Sequence, residues 1–496
     1  MAVAEGAGAP APQAVAYGEG RKPPATVKFA YSLGQVIESG YLAMNSFVFF
    51  YYTAVLGLSG TLVGAALAIS MCLDAVFDPF IGSWSDSVRS RLGRRLPVML
   101  IGAPLTFLTL GMLFAPPSGL APMLLFAWLT ASKMGVRAFA SMFNIPYFTL
   151  GGEMSDDYVE RARIVAWRLM GGILATVLVT WVAFTFFFTG EVGLQRREAY
   201  PAFGWTIAGL MLAGALISCL GVWRYAASLS RPIDAQTHML SRLPGEVREI
   251  FRNRSFRILF LSMLMFTSAA GLNAALNNHT FVFVWKLPPG TIQLVSYALL
   301  AGITAGIPVT PLLLRRMEKK AAMMWGFALV IVPWMILPTL RALGLFAPTG
   351  AEALGWLVAT TLIVGLGSGL IFIALPSMMA DAADEHEHVF GTRREGLYFS
   401  GLGFAGKAAA GVGAMVGGFA LDLMHFPAQA GAKVGAAIPE DVIGKLILAW
   451  GFVPATMSVI GALIFMPYAI TRVRHAEIAA GLKVKRAADV SAGRSS

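Results

Sequence analysis

Asp74 and Asp78 stand inside an otherwise apolar run, Leu73-Asp74-Ala75-Val76-Phe77-Asp78-Pro79, where lipid should exclude a carboxylate. Four residues apart, they project from one face of a helix, one turn above the other. An ionised carboxylate at membrane depth is costly unless it faces a wet cavity or meets a cation, so the pair predicts a cation pathway. A second polar set lies farther along. Lys133, Arg137 and Asn144 recur at intervals of four and seven and share one helical face, and Glu38 offers a carboxylate to Arg137 or Arg168. The basic balance of this set suits a small-molecule substrate carrying a carboxylate or phosphate, because guanidinium groups grip such oxygens in bidentate fashion. Lys407, among the small residues Gly406, Ala408, Ala409, Ala410 and Gly411, is a third buried charge and calls for an acid such as Asp74 or Asp78.

The elements that must position these groups are membrane spans. Of the 496 residues 57% are hydrophobic and 13% charged, with a mean hydropathy of +0.68, outside the range of a soluble domain. Apolar runs of about 20 residues or more, long enough to cross the hydrocarbon, predict twelve helices near 28–56, 60–86, 96–116, 120–150, 164–190, 202–227, 256–285, 290–314, 321–341, 353–380, 396–424 and 443–471. An all-α polytopic membrane protein of six spans plus six follows. Its expected parts are a disordered cytoplasmic tail (1–27), a first bundle (28–227), a cytoplasmic linker (228–255) with a short amphipathic helix at 243–250, a second bundle (256–471) and a cytoplasmic tail (472–496).

The formal charge of +11 is explained by topology. Basic residues gather at alternate connections, among them Arg94 and Arg95, Arg161 and Arg163, Arg248 and Arg252, Arg315 and Lys319, Arg393 and Arg394, Arg472 and Lys485. The positive-inside rule then puts both termini in the cytoplasm and the chain in the plasma (inner) membrane. No basic patch interleaved with aromatics stands outside these loops, which excludes nucleic acid as a partner. Cys72 and Cys219 both fall within apolar spans, so neither a disulfide framework nor a metal-ligand spacing is available. No phosphate loop, HExxH or nucleophile elbow is present, so the reading is not that of an enzyme and no cofactor is implied. Asn273, Asn277, Asn278 and His279 either line the far side of a cavity or bond between helices. His386 and His388, in a loop with Asp381, Asp384 and Glu387, fit a latch paired with Arg393, Arg394 and other basic loop groups better than a metal site.

Six spans plus six with both ends inside resembles the major facilitator superfamily, whose two bundles rock about a central site. Gly82-Ser83-Trp84-Ser85-Asp86, followed by Arg89, Arg91, Gly93, Arg94 and Arg95, is similar to that superfamily's signature between spans 2 and 3, which implies gating roles for Asp86, Arg94 and Arg95. The finer resemblance is to the glycoside-pentoside-hexuronide:cation symporters, typified by the melibiose carrier. Four stretches carry it: Tyr51-Tyr52-Thr53 through Ser59, Asp74 to Gly82, Asn144-Ile145-Pro146-Tyr147, and Asp381 through Asp384, Arg393 and Arg394 to Lys407. The resemblance implies that Asp74 and Asp78 hold a coupling Na+, Li+ or H+ with a hydroxyl from Ser141, and that Lys407 is the family's buried lysine. Phe77 stands where the melibiose carrier has an asparagine, so one oxygen ligand is missing. In the sugar pocket Glu38-Ser39 replaces a Lys-Asp pair, Asn144 replaces an aspartate, and Phe148 and Phe372 replace tryptophans. Only Arg168 is retained. The expectation is a functional monomer performing Na+- or H+-coupled symport of a glycoside, hexuronide or related solute. A lysophospholipid carrier on the same fold and a non-transporting sensor are the alternatives.

Overall fold

The computed structural model describes residues 22–491, apart from residues 89, 156, 191–192, 229–244, 246–247, 393, 429 and 432–437. The expected tail up to residue 21 and half of the 243–250 helix lie outside the described residues.

Among those residues every regular element is helical. The first pass divides into α1 (Ala25–Leu33) and α2 (Val36–Phe50), whereas a single span over 28–56 was expected. The break falls at Gly34, where any Cβ would run into the Tyr147 ring and the Ser218 hydroxyl. The next passes are α3 (Gly60–Ser87), α4 (Leu96–Phe114), α5 (Pro122–Glu153), α6 (Tyr158–Val182) and α7 (Ala199–Ser228). The second set is α8 (Arg254–His279), α9 (Pro289–Leu314), α10 (Lys319–Ala342), α11 (Ala351–Phe390), α12 (Glu395–Leu423) and α13 (Glu440–Phe465). Three passes end in a π turn: Tyr51–Val55 after α2, Ala183–Phe187 after α6 and Thr280–Val284 after α8. Nine helices among the described residues are long and apolar enough to cross a membrane. Together with the broken first pass, α3 and α5, they make the twelve passes expected.

The passes sort into two bundles. α4 packs on α5 and α7, and α1 and α2 pack on α6 and α7; α9 and α10 pack on α11, and α8 on α12 and α13. The bundles meet where α3 runs along α12, α2 along α8 and α6 beside α9. An even number of passes leaves both chain ends on one side, called here the terminal side, opposite the far side.

Two boundaries differ from expectation on the terminal side. α11 runs for 40 residues to Phe390, so Asp381, Asp384, His386 and Glu387 ride on a helical extension and not in a loop. Ala382, Ala383, Glu385 and Glu387 are strong helix formers, and Gly391, at φ 78°, closes the end in the left-handed conformation that glycine adopts freely. The segment after α13, expected as a tail, forms α14 (Arg472–Ser491), which docks on α11 and buries Ile478 and Leu482.

Candidate functional site

The intramembrane charges converge on the seam between the bundles. Asp74, on α3, is only 1% exposed. Its Oδ1 accepts a 2.9 Å hydrogen bond from Ser141 Oγ, and its Oδ2 is shared by the Arg137 guanidinium and by Lys407 Nζ at 2.8 Å. Lys407 reaches on to Asp78 Oδ2 at 2.5 Å. The four-residue spacings 74/78 on α3 and 137/141 on α5 bring these groups face to face, as helical geometry requires. Arg137 also lies 3.7 Å from Glu38, whose carboxylate accepts from Asn144 Nδ2 at 2.7 Å. Beneath them the buried Tyr41 ring supports both Arg137, 4.7 Å from its centroid, and Lys133, 4.3 Å away. Lys133 donates to Asn45 Oδ1 at 2.5 Å.

A buried charge stripped of its partner costs about 3–5 kcal/mol, so this cluster holds together as a unit. Among the described residues Lys407 is its only member from the second bundle, which makes that ammonium the electrostatic joint between the halves. Its side chain is 36% exposed and that of Asp78 26%, so the cluster is open on one flank. Asp78 Oδ1 is itself buried without a hydrogen-bond partner among the described residues.

The remaining substrate candidates are more dispersed. Ser39 lines the chamber described below. Arg168 stacks on the Phe148 ring, 4.8 Å from its centroid. Phe372 makes an edge contact with Phe266 in the second bundle. Phe77 is 40% exposed.

The gating candidates form separate networks on the terminal side. Arg95 pairs with Asp86 at 2.7 Å, and Arg94 and Arg95 converge on Glu153 at 2.5 and 3.0 Å. In the second bundle Asp381 pairs with Lys319 at 2.6 Å and with His475 at 3.5 Å, and Asp384 lies 3.2 Å from His475. Of the basic loop groups expected as partners, Lys319 is the one Asp381 takes, while Arg394 reaches Glu249 at 3.4 Å. The helical extension of α11 points Asp381 and Asp384 toward α10 and α14, away from that arginine. Glu387 rides on the same extension, and Arg393 lies outside the described residues. Thr392 donates to Glu249 at 2.7 Å; that bond, ahead of Arg394 and His386, holds the Glu249 carboxyl below the usual glutamate range. Glu153 and Glu160, the latter paired with Lys28 at 2.5 Å, escaped the sequence reading. An acid at a span end looks the same whether solvated or paired.

The seam differs from side to side. On the far side α3 and α12 touch backbone to backbone at Gly60 and Gly418, and Gly64 lies against Ala414 and Met415. Asp422 on α12 caps the first turn of α3, accepting from Ser59 Oγ at 2.5 Å and from the Gly60 and Thr61 amides at 2.8 Å each. Thr53 bonds the buried His279 at 2.8 Å, and Phe49, Phe50, Phe283 and Phe426 surround that imidazole. On the terminal side, past Lys407, a Cβ at Gly403 or Gly406 would meet nothing within 4 Å, and Phe80, Trp84, Phe399 and Phe404 are exposed. The ion pairs between described residues there stay within one bundle.

Between the halves, on the far side of the charge cluster, lies a chamber of about 490 Å3 lined from both bundles. Two six-pass bundles around a central chamber, sealed at one side and open at the other, define a secondary transporter of major facilitator architecture. The chain belongs to the MFS/sugar transport protein family, whose model matches residues 26–472, within the glycoside-pentoside-hexuronide:cation symporter group. It is 26% identical over 464 residues to the glucuronide carrier protein homolog of Escherichia coli (strain K12), covering 90% of this chain and 93% of that one. To the isoprimeverose transporter of Lactiplantibacillus pentosus it is 22% identical over 401 residues, 80% of each. Among solved structures, nucleoside transporter NupG superposes with a TM-score of 0.59 at 16% identity, over 89% of this chain and 98% of that one. A bacterial homolog of the human lysosomal transporter Spinster gives 0.60 at 13%, over 90% and 98%. The protein is thus a multi-pass membrane transporter of a small molecule, coupled to an ion, and not an enzyme.

Proposed function

We propose that the chain drives uptake of a glycoside, hexuronide or related small organic solute with a monovalent cation, by alternating access, as a monomer in the plasma (inner) membrane. The observation that carries this reading is the Lys407 ammonium bridging Asp74 and Asp78 across the seam. A cation arriving at these carboxylates competes with Lys407, so ion binding alters the bond that joins the halves. The alternate clustering of Lys and Arg assigns the terminal side to the cytoplasm, and the arrangement is then inward-open.

Asp74, Asp78 and Ser141 are the ion residues in this reading, with the unpartnered Asp78 Oδ1 as the free acceptor. Between Na+ and H+, two observations favour H+. Arg137 and Lys407 already neutralise both carboxylates, so a metal ion would have to displace a resident cation. Phe77 removes one oxygen ligand, and a hard cation needs several. Glu38, Ser39, Asn144, Phe148, Arg168 and Phe372 then form the solute's inward route, with Arg137 and Lys407 relaying ion occupancy to it. Asp86, Arg94, Arg95, Asp381, Asp384, Glu387 and Arg393 brace the cytoplasmic ends that close when the carrier faces outward. The wider substrate alternative, an amphiphile, would find apolar walls in the chamber but would leave the α8 amides Asn273, Asn277 and Asn278 facing an acyl chain.

The test is uptake into proteoliposomes of neutral glycosides, hexuronides and lysolipids under an imposed Na+ gradient and, separately, a pH gradient. Accumulation of a glycoside or hexuronide under the pH gradient, lost in Asp78→Asn, is expected. Movement of lysolipid alone, or undiminished concentrative uptake by Asp78→Asn, overturns the reading.

A further inference from the structure

The chamber between the halves begins one helical turn beyond the ion cluster. Met71 on α3 and Ala410 on α12 line it, while Asp74 and Lys407 follow at one turn's spacing on the same two helices. Its volume of about 490 Å3 lies within the range of small-molecule sites, roughly 300–1,000 Å3. Among the described residues no charged side chain lines it. The polar lining consists of hydroxyls and four amides: Asn45 on α2, and Asn273, Asn277 and Asn278 on α8.

The hydroxyls are mostly committed. Thr176, Thr180, Ser296 and Thr360 donate to carbonyls of their own helices. The amides of α8 are not. Asn273 donates its Nδ2 to the Trp450 carbonyl at 3.0 Å, and Asn277 Oδ1 accepts from the Trp450 indole at 2.7 Å. That leaves Asn273 an acceptor and Asn277 a donor without partners among the described residues. Asn278 is 5% exposed, and its Nδ2 is buried with no partner among the described residues. A buried unpaired donor costs about 1–3 kcal/mol, which a ligand oxygen would offset. The Asn277 bond holds the Trp450 indole at the chamber wall and the Asn273 bond holds that residue's backbone, and Trp334 lines the wall as well, so broad apolar faces stand beside amide donors and acceptors. Vicinal hydroxyls on a ring with an apolar face match this combination.

Charge separates the candidates within that class. Arg137 and Lys407 are held by carboxylates, and Lys133, only 1% exposed, is closed off behind Asn45 and Tyr41. A carboxylate entering the chamber would be desolvated against neutral amides, which is unfavourable.

We infer that this chamber is the ring-binding site for an uncharged polyhydroxylated solute, a neutral glycoside or pentoside, and that it selects against hexuronides. The inference rests on the transport reading only in taking the chamber to lie on the substrate's path. Asn273, Asn278 and Trp450 are its specificity-determining residues.

Equilibrium binding, with no gradient, tests it. Isothermal titration of the purified full-length protein would use the 4-nitrophenyl β-glucoside, β-galactoside and β-xyloside against 4-nitrophenyl β-glucuronide, which differs from the glucoside only in a carboxylate for a hydroxymethyl group. At least one neutral glycoside is expected to bind, with the glucuronide roughly tenfold weaker or more. Asn273→Ala and Asn278→Ala should each weaken the neutral ligand roughly 5- to 10-fold, the factor that one neutral hydrogen bond carries. Asn278→Gln, which keeps the amide but moves it, is read beside them in case an alanine variant fails to fold. Equal or tighter binding of the glucuronide, binding of none of the four probes, or unchanged affinity in the folded variants overturns the inference. Coupling is scored separately: gradient-driven uptake lost in Asp78→Asn without glycoside binding would keep the transport reading and remove the chamber, and binding without gradient-driven uptake would do the reverse.

Discussion

The far side and the terminal side of the seam are held by different chemistry. On the far side glycine backbones touch, aromatic rings enclose His279 and one carboxylate caps a helix across the bundles. On the terminal side the salt bridges between described residues tie elements of the same bundle together and leave the faces apart. Close packing depends steeply on distance and forfeits much of its energy at a small gap, so the far side behaves as a latch with two positions. Surface ion pairs tolerate stretching and water, so the terminal side stiffens each bundle without deciding whether the bundles meet. The cluster around Lys407 lies at the boundary between the two regimes.

The comparison breaks most severely at that boundary. Arg137→Ala strands Asp74 in a buried site and should cost about 3–5 kcal/mol, read as a large fall in the thermal unfolding midpoint together with loss of uptake. Asp74→Asn in the same chain should restore the midpoint but not the uptake; a midpoint that stays low would mean that Arg137 serves packing rather than charge. Next comes Gly418→Val, whose side chain would collide with the Gly60 carbonyl and must part the far side. Double electron–electron resonance between spin labels on the far-side ends of α3 and α12 should show a longer distance, and an unchanged distance would refute the latch. Asp422→Ala removes a cap worth roughly 1 kcal/mol and should raise the population open on the far side about fivefold in the same measurement. Asp381→Asn, on the terminal side, loosens a partly exposed pair worth about 0–1 kcal/mol, and the spin-label distances should stay as they are. The smallest effect concerns Glu249. Its depressed carboxyl contributes stability that is fully present above the ordinary glutamate pKa and fades as pH falls through the lowered value. Glu249→Gln should therefore flatten the acid limb of the stability profile below about pH 4.

Much of the architecture was legible because apolar run length reflects bilayer thickness directly. The spacing of Asp74 with Asp78, and of Arg137 with Asn144, also identified faces correctly as geometry. Which face meets which is a long-range fact: Arg137 reads alone as a ligand for an anionic substrate, and only the approach of α3 and α2 shows it occupied by Asp74 and Glu38. Local continuity misled at the end of α11, where a run of acids resembles a loop yet alanine and glutamate propagate the helix to Gly391. At Asn273 and Asn277 the two readings weighed, interhelical bonding and cavity lining, hold together, since each amide has one end for Trp450 and one to spare.

The Lys407 bridge also bears on how the chain is made. Synthesis runs from the N-terminus, and 63 residues separate Asp74 from Arg137 but 329 separate Asp78 from Lys407. Asp74 finds its counter-charge while the first bundle is still being inserted, whereas Asp78 waits until the eleventh pass has been translated. Docking of the late bundle in the wrong register would leave that carboxylate stranded, so the same ammonium that joins the finished halves proofreads their assembly.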